Sequence, residues 1–72
     1  MGISYSKASQ LFGEKVRALR LKDGISQETL AYKAGIERSY MGQIERGTAN
    51  PSFKKILSIA NALGVDLKEL TP

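Results

Sequence analysis

The 72-residue chain contains no cysteine and no histidine. Without them there is no common nucleophile–base pair and no His/Cys metal cluster. No glycine-rich phosphate loop is present either, so neither an enzyme nor a cofactor or metal is expected. With no disulfide or metal staple, so small a core must be held by closely packed helices, helped by self-association. Zero cysteine also fits a cytoplasmic setting. The aromatic residues Tyr5, Phe12, Tyr32, Tyr40 and Phe53 are few and scattered, and offer no stacking platform for single-stranded nucleic acid. No apolar run approaches a membrane span, and no signal-peptide pattern is present. The opening MGISYS matches the N-myristoylation pattern, but the pattern is degenerate and no second anchor stands nearby.

What is present is an excess of basic charge. Eleven Lys and Arg against seven Asp and Glu give a net charge of +4, which suits a polyanionic partner. The length allows one domain. Residues 1–8 show no sustained period and read as an arm, able to touch DNA or a partner through Tyr5 or Lys7. Residues 9–72 form the domain. Ser9 is the expected cap of a first helix reaching Lys22, with Phe12, Val16 and Leu19 at i, i+4, i+7 and Leu11 beside them. Asp23-Gly24 ends it.

Residues 26–47 organise the rest. Ser26 caps a second helix whose apolar face is Leu30, Ala31 and Ala34. Gly35 supplies a left-handed stop, and Ile36 leads into a third helix with Met41 and Ile44 facing inward. The small Ala31 and Ala34 allow a close, steep crossing. This is the pattern of a helix-turn-helix, whose second helix is free to enter a DNA major groove. Gly47 stops the third helix, and Asn50-Pro51 forms a loop. Ser52 caps a fourth helix with the stripe Phe53, Ile56, Leu57, Ala60 and Leu63. Gly64 closes it, and Asp66 caps a fifth short helix carrying Leu67 and Leu70.

On the third helix, Ser39 and Gln43 of the exposed face and Arg38 on its flank are the base-reading candidates, with the chemistry that base edges require. Arginine bridges guanine, glutamine bridges adenine, and serine serves either. Gly42 shares that face, as a tolerated exposed glycine or as a point of close approach to DNA. Phosphate contacts are expected from Ser26 and Gln27 at the start of the second helix, and from Arg46, Thr48, Asn50, Lys54 and Lys55 beyond the third. Tyr40 lies on the flank. Glu45 opposes DNA by its charge, so it should pair with an arginine of the first helix, Arg20 or Arg17.

Gln27, Leu30-Ala31, Gly35, Met41, Ile44-Glu45-Arg46-Gly47, Asn50-Pro51-Ser52 and Ala62-Leu63-Gly64-Val65, in this order and spacing, resemble the Cro and phage-repressor type of helix-turn-helix. The resemblance covers about Leu11 to Leu70. It implies an all-α, lambda-repressor-like domain of five helices that binds a symmetric double-stranded operator as a homodimer. Residues 38–47 are further similar to the recognition helix of restriction–modification controller proteins. That implies base contacts from positions 38, 39 and 43, Tyr40 near the backbone or a central base step, Gln27 on phosphate, and Glu45 paired with Arg20. Glu37 departs from the family, which usually has Ser, Thr or Asp as the cap there. A dimer must use the globule's own surface, and Ile59, Val65, Leu67 and Leu70 are the expected patch unless they complete the monomer core. A phage-type repressor, or a DNA-binding antitoxin holding a protein partner, is the alternative. Antitoxins usually carry a longer tail. No small-molecule effector or membrane partner is indicated.

Overall fold

A computed structural model describes residues 2–72. Four α-helices follow one another: α1 (Tyr5–Lys22), α2 (Gln27–Ala34), α3 (Arg38–Arg46) and α4 (Phe53–Leu63). A single 3-10 turn at Leu67–Glu69 follows them, in place of the expected fifth α-helix. Its physical reason is length. Only a few residues separate Asp66 from Pro72, and a residue before proline is biased away from helix, so an α-helical nucleus has no room to propagate. The Asp66 side chain makes no cap hydrogen bond. Packing holds the turn instead. Leu70 is completely buried, and burying such a side chain is worth about 1.5–3 kcal/mol.

The first helix also starts earlier than its periodicity indicates. Ser4, not Ser9, is the cap, its hydroxyl accepting from the Lys7 amide at 3.1 Å. Residues 5–8, expected in the arm, are therefore helical. Capping chemistry needs only one hydroxyl, whereas an apolar stripe appears only where the helix has something to pack against. Ser26 and Ser52 cap α2 and α4 as expected, accepting from the Thr29 and Lys55 amides.

The core is formed by Phe12 and Val16 of α1, Leu30, Ala31 and Ala34 of α2, Met41 and Ile44 of α3, and Ile59, Ala60 and Leu63 of α4, joined by Ile36, Ala49 and Leu70. In α4 the inward face is Ile56, Ile59, Ala60 and Leu63. Phe53 is 65% exposed and Leu57 is 39% exposed, so the expected stripe through those two residues is rotated from the true one. Ile59 and Leu70, expected in a dimer patch, have no exposed surface in the single chain and complete its core. Val65 and Leu67 are half-buried.

The crossing of α1 over α3 is built on glycine. A Cβ at Gly13 would collide with the carbonyl oxygens of Ile44 and Glu45. At Gly47 a Cβ would stand 2.8 Å from the Gln10 Cα. Gly47 also has φ +79° and ends α3 in the left-handed conformation. These two contacts seat the long helix directly against the backbone of α3. No helix among the described residues is long and apolar enough to cross a membrane.

Candidate nucleic-acid interface

The turn between α2 and α3 is set by Gly35, whose φ of +68° lets the Ile36 amide reach back to the Ala31 carbonyl at 2.9 Å. Ile36 then plugs into the core, and α3 departs with Met41 and Ile44 buried. Its opposite side faces outward with Arg38, Ser39 and Gln43 exposed. Among the described residues, the side chains of Arg38, Gln43 and Arg46 make no hydrogen bond or ion pair.

Glu45 is the centre of a bonded cluster behind this face. Its Oε2 accepts from Arg20 Nε at 2.7 Å, and its Oε1 accepts from Arg20 Nη2 at 3.0 Å. The pair is bidentate and buried, the two side chains being 11% and 4% exposed for Arg20 and Glu45. Of the two arginines considered, Arg20 is thus the partner, and Arg17 is exposed. Arg20 also donates from Nη1 to the Ile25 carbonyl at 3.0 Å, so one guanidinium ties α1, the loop before α2, and α3. Stranding either charge without its partner would cost about 3–5 kcal/mol, much of a small domain's stability of about 5–15 kcal/mol. Donating to the Glu45 carboxylate raises the Arg20 pKa above its ordinary value, against the lowering effect of burial. A raised folded-state pKa contributes stability that is lost only as pH rises through it. For an arginine that lies far above neutrality, so from its side the tie does not change across working pH.

Gln27 joins the same cluster. Its Nε2 donates to Glu45 Oε1 at 3.1 Å. A carboxylate only accepts, so the amide nitrogen must face it, and the second N–H remains for another acceptor. The expected phosphate ligand is therefore held in a defined orientation by Glu45.

The other expected contacts are placed less uniformly. Ser26 spends its hydroxyl on α2, accepting from the Thr29 amide and donating to Thr29 Oγ1 at 2.9 Å. Ser39 donates to Glu37 Oε1 at 2.8 Å, while Glu37 makes no side-chain cap bond to α3. The departure at Glu37 thus ties up a base-reading candidate. Thr48 donates to the Gln43 carbonyl at 3.3 Å and helps close α3. Tyr40 is half-buried, with the Lys55 ammonium 5.0 Å from its ring centroid, a cation–π contact joining α3 to α4. Asn50 and Lys54 are exposed at and beyond the loop after α3.

Gly42 is not exposed but buried. A Cβ there would meet Gln27 Oε1 and Arg46 Nη1, each at 3.3 Å. Gly13 and Ala49 are the positions the sequence reading passed over. A glycine inside a strongly periodic helix was the available signal for Gly13; Ala49, in a loop, carried none.

A four-helix domain in which a short helix is braced behind and polar in front, and meets its predecessor through a left-handed glycine, is a helix-turn-helix. The chain belongs to the helix-turn-helix family, whose sequence profile matches residues 16–70. It is 51% identical over 61 residues to the control protein C.BamHI of Bacillus amyloliquefaciens, across 83% of this chain and 75% of that one. The crystal structure of the restriction–modification controller protein C.AhdI from Aeromonas hydrophila is similar, with a TM-score of 0.84 and 47% identity. That match covers 86% of this chain and 94% of that one. An immunity repressor of Bacillus phage phi105 is 36% identical over 81% of this chain, which spans only 40% of it.

Proposed function

We propose that the chain binds a two-fold symmetric operator as a homodimer and controls the genes of a restriction–modification system. That it is a DNA-binding transcription regulator and not an enzyme follows from its family. The observation that carries the finer reading is the split on α3. The one acidic residue of α3, Glu45, is buried and neutralised by Arg20, while the side chains of Arg38, Gln43 and Arg46 make no bond among the described residues. Arg38 and Gln43 read base edges in the major groove. Ser39 reads only after leaving Glu37. Gln27, Arg46, Asn50, Lys54 and Lys55 hold phosphates to either side, and the free amides at the start of α2 add to them.

Similarity to C.BamHI over 75% of its length and to C.AhdI over 94% supports the controller role. The core burial of Ile59 and Leu70 supports a dimer surface that does not use them. Phe53 and Leu57, one turn apart on the outer side of α4, offer an exposed apolar pair for it. Regulation takes place in the cytoplasm, with the protein bound to DNA.

Selection of bound duplexes from a randomised pool tests this reading. A symmetric motif with half-sites about one helical turn, roughly 34 Å, apart is expected. Retention of DNA without any shared motif would refute base reading and leave electrostatic binding alone.

A further inference from the structure

Glycine in the middle of a nine-residue helix is costly relative to alanine, and α3 has it at Gly42. Its backbone does not demand glycine, since the positive-φ residues are Gly24, Gly35, Gly47 and Gly64. The space around it does make a demand. A methyl group at residue 42 would stand 3.3 Å from Gln27 Oε1 and 3.3 Å from Arg46 Nη1, inside the roughly 3.5–4.0 Å of a comfortable contact. Both neighbours are ends of flexible side chains, so the fold can accommodate the methyl. The cost falls on those two ends. Gln27 cannot shift freely, because its Nε2 is bonded to Glu45 Oε1, and Glu45 is fixed by Arg20.

We infer that Gly42 is a positioning residue: its bare backbone seats the Gln27 amide and the Arg46 guanidinium together, aligned for a phosphate of the DNA backbone. The inference rests on the DNA-binding reading above. The free N–H of Gln27 and the guanidinium of Arg46 are both donors, one neutral and one charged, and a phosphate oxygen pair is the acceptor that suits them. Gly42→Ala leaves both donors in the chain and moves them off this alignment. Stability and binding therefore separate: the variant folds at least as well as the parent and binds worse.

The test is a cycle of variants on the selected duplex, with thermal midpoints measured on each. Gly42→Ala is expected to keep or raise the midpoint and to weaken binding at least tenfold. In a chain already carrying Gln27→Ala and Arg46→Ala, the same change is expected to weaken binding less than twofold, because its targets are gone. Parent-like binding by Gly42→Ala overturns the inference. Equal losses in both backgrounds also overturn it, because Gly42 would then act by its own approach to DNA. Should the parent bind no duplex, the DNA reading fails, and the Gln27 side-chain amide resonances of the free protein decide this inference separately. A shift between parent and Gly42→Ala upholds the seating of Gln27 by residue 42, and unchanged resonances overturn it.

Discussion

Glu45 illustrates how an acidic residue can stand in the helix proposed to face DNA without presenting its charge to phosphate. Its charge is spent on Arg20, and its remaining acceptor capacity orients Gln27. The outward residues are left with the opposite task. Arg38 has no protein partner among the described residues and is expected to read a base, so Arg38→Ala should cost roughly 1–3 kcal/mol on the operator and relax preference at one position. Lys54, exposed at the start of α4, is expected to touch phosphate only. Lys54→Ala should weaken binding to all sequences alike and reduce the salt slope by about one phosphate. Titrations of operator and random duplexes at several salt concentrations distinguish the two. Equal losses on both duplexes for Arg38→Ala would remove it from the base-reading set.

At the scale of elements, the angle and height of α3 are determined by α1. Gly13 and Gly47 let the two backbones touch, and the Arg20–Glu45 pair locks the contact. Gly13→Ala sets two effects against each other. Helix propensity favours alanine by about 1 kcal/mol, while the methyl group collides with the Ile44 and Glu45 carbonyls, which are backbone and cannot turn aside. Overpacking of this kind costs about 1–3 kcal/mol, so a net loss is expected, read as a lower denaturation midpoint in urea. A gain in stability would show that α1 can lift off α3 cheaply. Gly42→Ala gives the opposite sign because there the neighbours are side-chain tips.

Whole-molecule behaviour depends on which apolar surface remains after the core is complete. α4 carries enough apolar residues for two overlapping stripes, and only one faces inward. The other leaves Phe53 and Leu57 exposed. Leu57→Asp should leave the monomer fold intact, since the side chain is not in the core, and should weaken self-association at least tenfold in sedimentation velocity. Binding to an isolated half-site should change far less than binding to the full operator. A variant that still sediments as a dimer would move the interface away from α4.

Local chemistry was legible in the chain itself. Ser26 and Ser52 as caps, Gly35 and Gly47 as left-handed stops, and the inward pair Met41 and Ile44 all follow from single-residue physics and a 3.6-residue period, and each stands where the pattern puts it. The resemblance to phage repressors likewise depends on order and spacing, which a linear string preserves. What required the tertiary structure is whatever depends on a neighbour distant in the chain. The inward side of α4, the burial of Ile59 and Leu70, the 3-10 turn in place of a fifth helix, and the reason for Gly13 and Gly42 belong to this group. Periodicity tells which residues share a face, but only the packed partner tells which face turns inward and how close two backbones come.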